Sequence, residues 1–239
     1  MTALYVDIGN THLKWQCGEL AGRIDSAQGD DPLTAWSELS PSAVVVAQVG
    51  SDQWMQHCRH WAEKRALPLI AATTTQQAAG VHCAYQTPQN LGVDRWLAII
   101  GGFHRCGACY VADIGTALTL DAVDEQGQHL GGLISPGPRL ARDSVVAQAP
   151  GVFGADPVHA DGWLTTDTPQ AIRSGAVLAC AALIDRFVES NNAQQQTDWP
   201  LLICGGAAGV IGPWLRSNFE HVPALVLEGL AIWHQHRRQ

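Results

Sequence analysis

Two short apolar runs end in the same acidic turn, at positions 7 and 113. Leu4, Tyr5 and Val6 lead into Asp7-Ile8-Gly9-Asn10-Thr11, and residues 108–112 lead into Asp113-Ile114-Gly115-Thr116-Ala117. One Asp-x-Gly turn says little, because β-turns use these residues anyway. Two, each at the end of an apolar run and followed by further strand-like segments, point to a duplicated unit. A carboxylate at a strand end, a glycine that lets the backbone approach and an adjacent hydroxyl suit a polyphosphate with its cation. The turn amides face phosphate oxygens, and Mg²⁺ favours one or two carboxylates plus phosphate.

The segments around each turn repeat in order. After the first, residues 12–17 and 23–27 read as strands, with Gly18 and Gly22 marking the turn. Residues 32–39 and 53–65 read as helices, 43–49 as a buried strand, 67–71 as another strand, and 91–104 as a helix that opens with Gly92-Val93-Asp94-Arg95. After the second, 118–123 and 129–134 form a hairpin around Asp124–Gly127, followed by helices over 138–148 and 169–190. A strand at 201–204 leads into a helix to about 217, then an extended 224–226 and a helix over 227–236. Two units are too few for a solenoid. The expected division is 1–107 and 108–239, two α/β lobes with a nucleotide bound in the cleft between them.

Three further places carry chemistry. Lys14 follows the first turn and either faces solvent or reaches a terminal phosphate as a point charge. Ile203-Cys204-Gly205-Gly206-Ala207-Ala208 ends a strand and opens a helix, so its glycines serve either strand–helix packing or close approach of a ring or sugar, with the helix N-terminus favouring anions. Asp94 and Arg95 adjoin at a helix start and diverge by roughly 100°. They form either a surface ion pair or a divided site, one side chain on a reacting hydroxyl and the other on a carboxylate.

In this order the motifs resemble those of the actin-like ATPase clan. Asp7–Thr11 with Lys14, Gly92–Arg95, Asp113–Thr119, Gly131-Gly132-Leu133-Ile134-Ser135-Pro136-Gly137 and Thr168-Pro169-Gln170-Ala171-Ile172-Arg173-Ser174-Gly175 together are similar to the motifs of type III pantothenate kinase over essentially the whole chain. The resemblance implies two ribonuclease H-like lobes with mixed sheets flanked by helices. It implies ATP-dependent phosphorylation of pantothenate to 4′-phosphopantothenate, the entry to coenzyme A synthesis. Asp7, Ile8, Gly9, Asn10, Thr11, His12, Leu13, Lys14 and Thr116 would bind ATP, with Asp7 on the Mg²⁺ side. Asp113 would hold potassium or ammonium. Tyr85, Gly92, Val93, Asp94, Arg95 and Thr168 would bind pantothenate, with Asp94 as proton acceptor and Thr168 reaching the neighbouring subunit of a homodimer. Cys204 stands where the family commonly has Thr. The loose transition state of phosphoryl transfer lets the hydroxyl proton leave late, so an ordinary aspartate, pKa ~3.9, serves as base at neutral pH. The rivals are an actin-clan phosphotransferase or ATPase with another acceptor, and a regulatory relative without turnover.

Composition narrows the partners. A net charge of -8 with only 14 Lys and Arg disfavours nucleic acid. Seven cysteines, irregularly spaced, do not read as a disulfide framework, and no run approaches a membrane span, so a soluble cytoplasmic protein is expected. Cys106-Gly107-Ala108-Cys109 lacks the second pair of a zinc site and reads as buried thiols. His57 and His60 beside Cys58 read as surface or packing residues. Most of the nine Trp are expected in core or interface, with Trp96 bordering the site. The apolar helix around 171–188 needs cover on all sides, which predicts a homodimer. His234, His236, Arg237 and Arg238 read as a frayed, solvated tail.

Overall fold

The computed structural model describes residues 2–25, 32–149 and 158–237. They pack as two units. The first comprises the described residues within 1–105, 127–129 and 224–239, and the second those within 106–126 and 130–223.

In the first unit, β1 (Leu4–Ile8), β2 (His12–Cys17), β3 (Leu20–Asp25), β4 (Val44–Gln48) and β5 (Leu69–Ala71) form a sheet in the order β3-β2-β1-β4-β5. The β1–β2 and β2–β3 pairs are antiparallel; β4 joins β1, and β5 joins β4, in parallel. Alternation explains β1: Leu4, Val6 and Ile8 point into a core with Trp36, Cys58 and Trp61, and Tyr5 and Asp7 point to the other face. The β4 strand is apolar and buried from Val44 to Ala47 because helices cover both its faces. One is α2 (Asp52–Lys64), whose Met55, Cys58, Trp61 and Ala62 are buried; the other is α7 (Leu225–His236). The helix expected at 32–39 is a single turn, α1 (Pro32–Ala35), which delivers Trp36 edge-on between Trp15 and Trp61. Gly18 makes the β2–β3 turn at φ +62°. Gly22 does not: it lies inside β3, where a Cβ would sit 2.7 Å from the Trp15 indole. Residues 26–27 of the expected strand lie outside the described residues.

The two shortest strands of this unit escaped the pattern, whereas its last helix was expected. A short hairpin, β6 (Gln77–Ala78) and β7 (Val81–His82), turns through Ala79 and Gly80, both at positive φ as a two-residue hairpin turn requires. The helix α7 carries the end of the described chain back to the first sheet. There α3 (Val93–Cys106) meets it backbone to backbone: a Cβ on Gly229 would lie 1.9 Å from the Leu97 carbonyl oxygen, and one on Gly101 would lie 2.7 Å from that of Leu225. The tail is therefore not frayed as far as Arg237. His234 is 5% exposed and its Nδ1 lies 3.3 Å from the Tyr5 hydroxyl; Arg238 lies outside the described residues.

The second unit repeats the plan. The strands β8 (Cys109–Ile114), β9 (Ala117–Val123), β10 (His129–Pro136), β11 (Leu201–Cys204) and β12 (Phe219–His221) run in the order β10-β9-β8-β11-β12, with β8–β9 antiparallel and β8–β11–β12 parallel. This is the same strand arrangement, and the expected α/β fold with two mixed sheets flanked by helices is present. The sheet packs on α5 (Thr168–Gln195) through Val177, Ala181, Ile184 and Val188. Asp167 caps α5 by accepting from Gln170 N–H, and Gln196 ends it in a left-handed conformation. The helix α4 (Pro138–Gln148) follows β10. The helix expected to run to 217 breaks into α6 (Ala208–Ile211) and a 3₁₀ turn at Gly212–Trp214, where Pro213 cannot continue it. Residues 225–226 are helical, not extended; the extended segment lies earlier, at β12.

Candidate active site

The first acidic turn is held from two sides. Ile8 pairs with Leu13, leaving a four-residue loop closed by Gly9 N–H donating to the His12 carbonyl at 3.0 Å. Asp7 pairs with Lys14, and residues directly opposite across strands share a face. Val49 and Gly50 N–H both donate to the Ile8 carbonyl oxygen, each at 3.0 Å. A Cβ on Gly50 would lie 2.0 Å from the Gly9 oxygen, so only glycine fits there. The side chains of Ile8 and Leu13 are core residues, fully buried, and so only their backbone can serve a ligand.

The second turn is one residue shorter. Ile114 pairs with Leu118, and Gly115 N–H closes the loop on the Ala117 carbonyl at 2.9 Å. Asp113 lies opposite Thr119 and, on the other side, Cys204. Gly137 N–H donates to the Thr116 carbonyl at 3.0 Å, and a Cβ on Gly137 would sit 2.2 Å from the Gly115 oxygen. Gly205, at φ +88°, would place a Cβ 2.4 Å from the Asp113 carboxylate and 2.5 Å from the Ile114 backbone. Gly205 thus serves close packing, whereas Gly206 faces open space. The close-packed role of Gly50 escaped sequence reasoning because it depends on Gly9, distant along the chain, and that of Gly137 because it depends on Gly115, nearer but still well beyond any local pattern. The only sequence signal was a glycine after an apolar run.

Gly92-Val93-Asp94-Arg95 sits at the start of α3. Thr74 Oγ1 donates to the Leu91 carbonyl at 2.9 Å and pins the entry to the helix. Asp94 Oδ1 accepts from Arg95 N–H at 2.8 Å and lies 2.6 Å from where a Gly92 Cβ would be, so the missing side chain leaves the carboxylate its place. Arg95 turns inward: it is 6% exposed and its Nη1 donates to the Tyr85 hydroxyl at 3.2 Å. The two side chains diverge, as their helical spacing requires. Tyr85 also stacks on His129, a residue that sequence reasoning passed over. Trp96 does not border this site; it is fully buried in the core.

Thr168 is exposed at the start of α5. Just before it, Asp161 accepts from Arg173 Nε at 2.9 Å, and this bond holds its carboxyl below the ordinary carboxylate range, with a smaller contribution from His159. The open face of α5 carries Ala171, Gly175, Ala179 and Ala182, beside a groove of about 320 Å³ lined also by Trp163 and Leu178. Trp163 is 68% and Leu164 96% exposed.

Among the described residues no three metal-ligating side chains gather. His57 Nδ1–H donates to the Gln53 carbonyl within its own helix. Cys109 is buried, and Cys106, expected to be buried, is exposed because it ends α3. The Cys106 thiol hydrogen-bonds Cys109 and, with burial, pushes its pKa up.

A family profile described as type III pantothenate kinase matches residues 3–190. The type III pantothenate kinase of Nitrosococcus oceani is 34% identical over 95% of this chain and 92% of its own length. That of Halorhodospira halophila is 33% identical over 98% of each. Among solved structures, one described as a Baf family transcriptional activator from Campylobacter jejuni superposes with a TM-score of 0.62 at 19% identity, over 99% of this chain and 100% of that one. That likeness speaks to the fold alone.

Proposed function

The chain belongs to the type III pantothenate kinase family, and from that premise we propose how its residues divide the transfer of a phosphoryl group from ATP to pantothenate. The reaction yields 4′-phosphopantothenate in coenzyme A biosynthesis and uses ATP with a divalent metal.

In this reading residues 7–14 cradle the ATP phosphates through turn amides, and Thr116 adds a contact. The register of Asp7 with Lys14 supports it, since one carboxylate and one ammonium group leave the same sheet face. A lone carboxylate fits Mg²⁺, which leans on nucleotide oxygens and water and needs no protein cage. When bound, the ion neutralises charge that builds on the phosphate oxygens. Asp113 holds a monovalent cation, potassium or ammonium. Its strand neighbours, Thr119 and Cys204, bring no positive charge to it, unlike Lys14 at the first turn.

Pantothenate lies along Tyr85 and Gly92–Arg95. The observation that carries this is the divergence of Asp94 and Arg95. Asp94 stays at the helix start, oriented by an amide, where it accepts the proton of the primary hydroxyl. Arg95 is buried, bonded to Tyr85, and suits the carboxylate at the other end of the substrate. Positioning and charge neutralisation supply most of the acceleration. A coupled ADP assay with pantothenate, in potassium or in sodium, tests both parts. ADP release that ignores pantothenate would sink the substrate assignment; equal rates in the two salts would sink the role of Asp113.

We also propose a homodimer whose α5 face is covered by a second copy, with Thr168 completing the partner's site. The small residues along the open face of α5 and the exposed Trp163 and Leu164 beside it support this. Sedimentation of an active monomer would refute it. No helix among the described residues is long and apolar enough to cross a membrane. Free thiols suit a reducing cytoplasm, which cell fractionation tests.

A further inference from the structure

Residues 127–129, which end the β9–β10 turn and open β10, group with the first unit. His82 N–H donates to the Gly127 carbonyl at 2.8 Å, and Gln128 Nε2 donates to the His82 carbonyl at 3.3 Å. Gly127 stands at φ +76°, and a Cβ there would lie 2.2 Å from the Gly80 oxygen, so the crossing requires glycine. This anchorage buries His129 to 1% exposure. Its ring lies 15° from the plane of Tyr85, with centroids 6.1 Å apart. The backbone N–H of Ala84, the residue before Tyr85, meets His129 Nδ1 at 3.4 Å. An amide N–H can only donate, so Nδ1 is the acceptor in this contact. Tyr85 in turn accepts from Arg95 Nη1 at 3.2 Å.

We propose that His129 is a positioning residue for the pantothenate side of the site. It fixes the ring of Tyr85 from one face and from the preceding amide and, through the Tyr85 hydroxyl, sets the guanidinium of Arg95. The role rests on the assignment of Tyr85 and Arg95 to pantothenate. A histidine that merely fills space would be replaceable by any residue of similar volume, and its loss would disturb ATP and pantothenate kinetics alike. A positioning histidine acts on one substrate and through one neighbour.

The test is steady-state kinetics of the intact protein, varying each substrate in turn. His129→Ala raises the KM for pantothenate roughly tenfold, the worth of one stacked pair or one hydrogen bond, and leaves the KM for ATP unchanged. His129→Asn, which keeps an acceptor near the Nδ1 position, recovers part of the loss. Tyr85→Ala raises the same KM, and the double variant is no worse than Tyr85→Ala, because His129 works through Tyr85. If Tyr85→Ala leaves the KM for pantothenate unchanged, the Tyr85 assignment falls and the His129 role falls with it. If Tyr85→Ala raises it but His129→Ala does not, or the two effects add, or both KM values move together, the His129 role alone is overturned. Should His129→Ala fail to fold, His129→Phe keeps the stacked ring and deletes the acceptor. A raised KM for pantothenate alone then supports the role, and an unchanged one overturns it.

Discussion

Asp7 stands directly opposite Lys14 across β1 and β2, whereas Asp113, its counterpart in the second sheet, stands opposite Thr119. The two sheets share a strand order, so the difference lies in the turns: the second loop is one residue shorter and its strand partner is uncharged. In the proposed reading the first turn therefore brings its own positive charge to a phosphate, and the second does not. Lys14→Thr gives the first turn the chemistry of the second. It lowers kcat/KM for ATP by about 10²-fold, the scale of losing one charged donor to a transferring phosphoryl group, with little change in Tm. An unchanged kcat/KM would leave Lys14 a solvent-facing strand residue.

Asp94→Asn keeps the volume and the acceptor that holds Arg95 N–H, but it cannot take a proton. Turnover drops by about 10²-fold or more, the usual contribution of a positioned base, while nucleotide affinity and oligomeric state persist. Near-normal kcat removes Asp94 as base.

The neighbouring glycines Gly205 and Gly206 differ sharply. Gly205→Ala puts a Cβ 2.5 Å from the Ile114 backbone at a left-handed φ, which costs at least about 2 kcal/mol of stability. Gly206→Ala meets open space and stays within about 0.5 kcal/mol of the parent. Denaturant melts compare them, and equal penalties would contradict the packing described for Gly205.

Thiol reactivity follows burial. Desolvation pushes Cys58 up to about 12 and Cys180 up to about 11, so at pH 8 only about 10⁻⁴ and 10⁻³ of each is thiolate, the form that reacts. Cys106 is exposed. Brief treatment with iodoacetamide, mapped by peptide mass, labels Cys106 before either buried thiol; the reverse order would show that the two cores open readily.

Arg173 holds the Asp161 carboxyl below its ordinary range. A depressed folded value means that the pair stabilises the fold above the unfolded pKa, ~3.9, and that this contribution is lost as pH falls through the folded value. Asp161→Asn therefore lowers Tm slightly at pH 7, since exposed pairs contribute little, and the gap closes on acidification toward pH ~3. A gap that widens in acid would have the sign wrong.

Much of this was legible along the chain. The Asp-Ile-Gly turns announced the duplication because their neighbours in the fold are also neighbours in sequence: β1, β2 and β3, then β8, β9 and β10, are consecutive hairpins. The helix start at Gly92–Arg95 was legible for the same reason. What stayed hidden depends on distant contacts. The β6 and β7 strands are two residues each, too short for any period to register. Gly50 and Gly137 look like ordinary turn glycines until the turns they press on are in place. His129 sits in a strand that otherwise belongs to the second unit, and nothing local marks its attachment to Tyr85. Residues 225–226 have strand-forming side chains, and burial beside α3 makes them helical instead.

The return of α7 to the first sheet sets an order for folding on the ribosome. Residues 225–236 emerge after everything from 2 to 223, yet they cover β1 and β4 and close against Leu97 and Gly101. The second unit has its residues in hand before synthesis reaches α7. The first, although begun earlier, leaves one sheet face bare until that helix arrives, and a nascent chain stalled short of position 225 would expose that face to chaperones and proteases.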